Sequence, residues 1–125
     1  MLRMIALYGA SLIAAGWGLA HLVFGTRGVV EGFGDISLDN RRVITMEWIA
    51  EGVALLSIAA FVAVPTALGA VPPVSWGVYG VAIATLLVMT VVSLFTGFRI
   101  AYLPYRLCPI VFAAAAALIA WGGLG

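Results

Sequence analysis

Two carboxylates and one histidine are the residues whose types and spacing could do chemistry in this chain. Glu47 and Glu51 lie four residues apart in the run TMEWIAEGVALL, which opens a segment that stays apolar as far as Val64. Residues at i and i+4 share one face of a helix. His21 is the single histidine. A carboxylate and an imidazole held together can act as general acid and base, so Glu51 and His21 are the candidate catalytic residues.

The depth of Glu47 and Glu51 in the membrane determines how costly each carboxylate is. If the membrane begins near Val43, a rise of about 1.5 Å per residue puts Glu47 about 6 Å inside it and Glu51 about 12 Å inside it. A central acidic side chain costs on the order of 2.5–3.5 kcal/mol, so Glu51 should face protein rather than lipid. It would do so in a structural pair with an arginine or with His21, or as the polar floor of a pocket. The arginines considered are Arg41, Arg42 and Arg99.

A polar stripe on the third apolar segment extends this set of candidates. At 100° per residue, Thr85, Met89, Ser93, Thr96 and Arg99 fall on one arc, which predicts a stripe that points into the bundle. Hydrogen bonding between helices is the simpler role for its hydroxyls. The predicted ligand-binding residues are His21, Glu47, Glu51, Ser93, Thr96, Arg99 and Tyr102.

Metal and cofactor sites are not predicted. Glu47, Glu51 and His21 offer two carboxylates and one imidazole, but a di-iron carboxylate bundle needs a histidine on each of two helices. Haem held by two histidines is excluded for the same reason. Cys108 is the single cysteine and cannot form an internal disulfide, so its redox state stays open.

The composition places these residues in a membrane protein. The 125-residue chain is 65% hydrophobic and 9% charged, with a mean hydropathy of +1.21. A soluble domain carries roughly 25% charged residues. The length fits one domain, and the net charge of +1 gives no sign of a nucleic-acid partner.

Charges and prolines divide the chain into four apolar spans, at about residues 4–26, 43–64, 75–97 and 108–123. A membrane helix needs about 20 apolar residues. The sequence therefore predicts an all-α integral membrane four-helix bundle with short loops. In the first loop, the segment SLDN offers Ser37 or Asp39 as the N-cap of a helix that would begin near Asn40.

Arginine placement predicts the orientation. The loop from Arg27 to Arg42 and the connection from Arg99 to Arg106 hold five of the six arginines. Positive charge accumulates on the cytoplasmic side, so we expect both loops in the cytoplasm and both termini outside the cell (inner) membrane. Trp76, Tyr79 and Trp121 would then anchor the exterior interface.

The opening segment LRMIALYGASLIAAGWGLAHLVFG, with the four spans, resembles the small bacterial DoxX-like membrane families. These families share an arginine-led first helix, a glycine-rich stretch and a polar residue near its end. The resemblance implies an accessory or subunit of a membrane redox system.

The last third, FRIAYLPYRLCPIVFAAAAALIAWGGL, resembles the final helix entry of the MAPEG family, which includes glutathione-using membrane enzymes. That family also has four helices with cytoplasmic arginine-bearing loops. Its second helix opens with an arginine, an asparagine and a glutamate. Here NRRVITMEWIAE supplies Arg42 and Glu47 with no asparagine between them.

Three functions remain open from the sequence. The first is a non-enzymatic accessory or ligand-binding module, with a polar pocket at the cytoplasmic leaflet for a quinone, an isoprenoid or a lipid. The second is a membrane enzyme acting on an amphiphile, with Glu51 as general acid or base and His21 as its partner. The third is a structural subunit of a membrane complex. The expected partners are membrane lipids, a hydrophobic small molecule, and a homo-oligomer or larger membrane complex.

Overall fold

The computed structural model describes all 125 residues, and almost all of them are helical. The elements in chain order are α1 (Leu2–Ala20), a π-helical turn (His21–Gly25), α2 (Thr26–Gly32), α3 (Leu38–Ala67), α4 (Val74–Phe95), a 3₁₀ turn (Gly97–Arg99) and α5 (Leu103–Gly123). The first three elements run on as one helix, so the chain has four helices long and apolar enough to cross a membrane. The prediction of an all-α integral membrane four-helix bundle with short loops is confirmed.

The first connection is shorter than the arginine spacing suggested. The helix continues to Gly32, so the connection to α3 covers only residues 33–37, where Gly34 turns the chain with φ +65°. Ser37 is the N-cap of α3, because its Oγ accepts the backbone N–H of Asn40 at 3.2 Å. Ser37, one of the two predicted caps, is therefore confirmed in that role.

The last helix begins earlier than expected. The fourth span was expected to begin at about residue 108, but α5 already begins at Leu103. Pro104 lies in the first turn, where its fixed φ and missing N–H suit a helix start. As a result, Tyr105 and Cys108 lie on a membrane-spanning helix and face its neighbours.

The bundle is held together by an apolar core and by close backbone approaches. α1 packs against both α3 and α5, and α5 packs against α4, while α3 and α4 share a smaller interface. Leu55, Leu86 and Phe112 are among the most deeply buried side chains of the core. Gly18 of α1 and Gly52 of α3 meet directly, and small residues of this kind let membrane helices approach closely.

The polar stripe expected on α4 does not point into the bundle. The buried face of α4 consists of Ser75, Tyr79, Ala82 and Leu86. Thr85, Thr96 and Arg99 are exposed, and Met89 and Ser93 are half-buried. The hydroxyls of Thr85 and Thr96 donate to carbonyls of their own helix, at 2.9 and 2.7 Å, so they need no partner on another helix.

Tyr79 also differs from its prediction. It was expected to anchor the membrane interface, but it is 4% exposed, and its hydroxyl lies 2.8 Å from Thr66 Oγ1 of α3. Its ring lies so close to Gly123 that a Cβ there would be 2.4 Å from Tyr79 Cδ2. Tyr79 therefore contacts α3 and α5 from α4 at the end of the bundle where both termini lie.

Candidate functional site

The π-helical turn that begins at His21 sets up the candidate site. The backbone carbonyl of His21 accepts the N–H of Thr26, five residues on, rather than four as in an α-helix. The same carbonyl accepts the indole N–H of Trp48 from α3 at 2.9 Å. Isolated π-helical turns of this kind often occur at functional sites. The turn therefore joins the first helix to α3, because the His21 carbonyl accepts one hydrogen bond from each of them.

A glycine makes room for the indole. A Cβ at Gly25 would lie 2.4 Å from Trp48 Nε1, so no larger residue fits at that position while Trp48 stays in place. The imidazole of His21 stacks on Trp48, with ring centroids 3.9 Å apart and planes 13° apart. The hydrogen bond fixes the indole beside the His21 backbone, and stacking holds the His21 ring against the indole.

The two predicted catalytic candidates, His21 and Glu51, are in contact. Nε2 of His21 lies 3.3 Å from Oε2 of Glu51, which is within ion-pair distance. The two atoms are not oriented as a hydrogen bond, and Nε2 is buried with no hydrogen-bond partner. The side chain of His21 is 8% exposed and that of Glu51 is 40% exposed. The carboxylate thus reaches an accessible surface while the imidazole lies inside the protein.

No arginine pairs with Glu47 or Glu51. Arg42 lies 3.6 Å from Asp39, and Arg41 donates to the backbone carbonyl of Gly34 at 3.0 Å. The only group within ion-pair distance of Glu51 is His21. Of the partners expected for Glu51, the arginines are therefore wrong, and His21 is the one in contact.

A cavity of about 320 Å³ lies beside the π-helical turn, and we call it the aromatic cavity. Its wall is contributed by the first helix, by α3 and by the start of α5. The lining residues are Trp17, Ala20, His21, Phe24, Gly25, Val29, Trp48, Tyr102, Leu103, Pro104, Tyr105, Leu107 and Cys108. Five of these are Trp, Phe or Tyr, and none is an arginine, aspartate or glutamate.

A second cavity of about 500 Å³ lies on the other side of Trp48, and we call it the carboxylate groove. It contains Glu47 and Glu51 among apolar residues such as Val29 of α2, Phe33 of the first connection and Ala54 of α3. Val29, Trp48 and Tyr105 line both spaces, and the two aromatic side chains form most of the partition between them. The His21–Glu51 contact crosses this partition, because His21 lines the cavity and Glu51 lines the groove.

The predicted ligand-binding residues therefore fall into three groups. His21 and Tyr102 line the aromatic cavity, and Glu47 and Glu51 line the carboxylate groove. Ser93, Thr96 and Arg99 line neither space. The two spaces lie at the end of the bundle that holds the arginine-bearing connections.

Sequence reasoning missed most of the aromatic wall. Trp17, Trp48, Tyr105 and Cys108 line the cavity without having been proposed for it. Trp48 meets Tyr105 edge-on at 5.8 Å, and Tyr105 meets Tyr102 edge-on at 5.7 Å. The sequence did hold one signal, because Trp48 lies between the two glutamates of the opening motif and Trp17 lies one turn before His21.

The site combines a space for a ligand with a pair of ionisable side chains. The aromatic cavity offers flat apolar surface for a ligand. A carboxylate beside an imidazole is a pair of groups that can act as general acid and base. Glu51 lines the groove and His21 lines the cavity, so the pair places one ionisable group in each space.

Comparison of the chain with protein-family models, with curated proteins and with solved structures finds no match.

The contact between His21 and Glu51 should appear as an energetic coupling. We expect a double-mutant cycle with His21→Phe and Glu51→Gln to give a coupling energy of about 0.5–3 kcal/mol in the free energy of unfolding, as for residues in contact. The matched cycle with His21→Phe and Glu47→Gln should be additive within about 0.5 kcal/mol. Unfolding of the purified variants in one detergent measures both. Equal couplings in the two cycles would mean that the contact has no energetic role.

Proposed function

We propose that this chain is a small integral membrane module that binds the polar head of a hydrophobic molecule in the aromatic cavity. The observation that carries the proposal is the position of His21, a 7% exposed titratable ring in the wall of an apolar space of about 320 Å³. Ligand sites of about 300–1,000 Å³ with apolar walls and few polar groups are typical of small-molecule binding. Polar residues inside a membrane are costly, which favours a functional role for this one.

The mouth of the cavity suits a ligand with an apolar tail. Phe24 and Leu103 belong to the lining but are 77% and 63% exposed, so they lie at the rim and face the surroundings of the bundle. In a bilayer those surroundings are lipid chains. A ligand head held beside His21 would then leave its tail among the lipids.

We also propose that the protein lies in the cell (inner) membrane with both termini outside. The support is the distribution of arginines, since five of the six lie at the end of the bundle opposite the termini. Cytoplasmic loops carry the excess of arginine in membrane proteins. The aromatic cavity would then open at the level of the cytoplasmic leaflet.

Native mass spectrometry of the purified protein, released from a mild detergent, tests the binding proposal. Wild type should carry a small hydrophobic molecule. Ala20→Phe should lose it, because the added ring would fill the aromatic cavity that Ala20 lines. Leu19→Phe is the matched control. Leu19 directly precedes Ala20 in the sequence, but it is 52% exposed and does not line the cavity.

Two outcomes would contradict this proposal. A wild type that carries no small molecule would favour a structural subunit, especially if it co-purifies with another membrane protein. A molecule retained equally by all three proteins would be bound elsewhere on the surface.

An enzyme is the second candidate, and the 3.3 Å contact between His21 and Glu51 favours it. In that case the same spectra should differ between wild type and Glu51→Gln, because the variant would hold unconverted substrate. Glu47→Gln, which changes the neighbouring carboxylate of the groove, should match wild type. An identical ligand mass in all three proteins would support binding without turnover.

A further inference from the structure

The charge of the aromatic cavity restricts which ligand heads it can hold. No arginine, aspartate or glutamate lines it, and the chain contains no lysine. Arg106, the arginine nearest in sequence to the lining residues of α5, stacks on the ring of Phe98 at 5.5 Å and is not part of the wall. A phosphate or carboxylate inside a membrane needs a counter-charge, because burying it alone is costly. The wall therefore disfavours prenyl diphosphates, anionic phospholipids and fatty acids, and favours a neutral head.

The polar groups of the wall indicate what the neutral head should carry. The indole N–H of Trp17 is a donor with no acceptor function, and its only acceptor nearby is the sulfur of Cys108, a weak acceptor with which it makes no hydrogen bond of normal geometry. The hydroxyls of Tyr102 and Tyr105 and the imidazole of His21 can also donate. The thiol of Cys108 already donates to the carbonyl of Pro104 at 3.4 Å. A head with hydrogen-bond acceptors, such as carbonyl oxygens, complements this set.

The shape of the wall favours a flat head. His21 and Trp48 form a parallel stack with planes 13° apart, and Tyr105 meets the edge of that stack. Aromatic surfaces of this kind gain most from planar, conjugated partners that stack or meet them edge-on. An aliphatic head of equal volume would leave part of the flat surface uncovered.

From these three features we infer that the ligand is a neutral amphiphile whose head is a planar, conjugated ring bearing carbonyl oxygens, the chemistry of a quinone. The head would lie against Trp17, His21 and Trp48, and the tail would leave past Phe24 and Leu103. This inference rests on the proposed binding function and names the class of molecule that the same cavity takes. The sequence left a quinone, an isoprenoid and a lipid as possible ligands, and this inference favours the quinone.

The test compares two probes that differ in their carbonyl groups alone. Menadione has a flat ring with two carbonyl oxygens, and methylnaphthalene has the same carbon skeleton without them. We expect calorimetric titration of the protein in lipid nanodiscs to show menadione binding about tenfold more tightly, the difference one or two hydrogen bonds provide. Geranylgeranyl diphosphate, a charged probe with an isoprenoid tail, should not compete.

Variants test whether the preference for menadione over methylnaphthalene arises in the aromatic cavity. Trp17→Phe and His21→Phe keep an aromatic ring but remove a donor, so each should lower the preference for menadione over methylnaphthalene by about threefold or more. Trp121→Phe changes a tryptophan that is 55% exposed on the lipid-facing surface and should leave the preference unchanged. Ala20→Phe should abolish the binding of both probes and so corrects for partition into the lipid.

The outcomes separate this inference from the proposal on which it rests. Equal binding of menadione and methylnaphthalene, lost in Ala20→Phe, would overturn the carbonyl-bearing head while leaving the cavity as a binding site. Tight binding of geranylgeranyl diphosphate that is lost in Ala20→Phe would overturn the neutral head. No saturable binding of any probe, together with a bare wild type in native mass spectrometry, would overturn both.

Discussion

Replacing Gly18 with alanine is expected to destabilise the folded protein by about 1–3 kcal/mol, the usual cost of overfilling a packed interface. A Cβ at Gly18 would lie 2.9 Å from the backbone oxygen of Gly52 and 3.1 Å from Cβ of Leu55. Neither atom is the end of a flexible side chain, so the two helices would have to move apart. This interface brings His21 towards Glu51, and a wider separation should weaken that contact as well.

Gly16→Ala is the matched control for this prediction. Gly16 lies on the same helix, half a turn away, and a Cβ there would meet nothing within 4 Å. We expect it to unfold at the wild-type temperature or slightly above, because alanine favours the helix over glycine. Thermal unfolding followed by tryptophan fluorescence in one detergent measures both variants. Equal unfolding temperatures for Gly18→Ala and Gly16→Ala would show that the close approach does not limit stability.

The membrane fold was readable from the sequence because its signals are local. Four apolar runs bounded by charges and prolines give four helices, and the Ser37 cap needs only the residues that follow it. The helix ends were less accurate. The 30-residue α3 spans about 45 Å, well beyond the roughly 30 Å of hydrocarbon, so hydropathy alone does not locate where such a helix begins.

The rotation of each helix was harder to predict, and the wrong stripe on α4 shows the reason. In a membrane protein the lipid-facing side of a helix is as apolar as its core-facing side, so the hydrophobic pattern does not identify the buried face. Hydroxyls such as that of Thr85 can bond to their own helix and therefore do not have to face inward. The buried face is identified instead by small or shape-matched residues, such as Ala82 packed in the core.

The site was only partly predictable for a related reason. Glu51 and His21 were picked out because an ionisable residue in an apolar segment is costly wherever it points. Their contact depends on the π-helical turn and on the Gly18–Gly52 approach, which join residues about thirty positions apart. No local sequence pattern predicts a π-helical turn. The contact of Trp48 with His21 therefore could not be predicted before the helices were placed relative to one another.

Replacing Gly25 with alanine is expected to damage the site more than any other single methyl group in this region. The new Cβ would lie 2.4 Å from Nε1 and 2.6 Å from Cζ2 of Trp48, so the whole indole has to move. That movement breaks the 2.9 Å hydrogen bond to the His21 carbonyl and the stack on the His21 ring. We expect a loss of about 1–3 kcal/mol in the free energy of unfolding from the overpacking.

The same displacement should also disrupt the aromatic cavity, because Trp48 forms the partition between it and the carboxylate groove. We therefore expect the molecule carried by wild type to be bound at least about tenfold more weakly by Gly25→Ala, which corresponds to about 1.4 kcal/mol. Gly28→Ala is the control, since Gly28 lies one turn further on and a Cβ there would meet nothing within 4 Å. Near-ultraviolet circular dichroism reports the tryptophan environment, and native mass spectrometry reports the ligand. If Gly25→Ala keeps both signals at the level of Gly28→Ala, then the fixed position of Trp48 is not what forms the binding site.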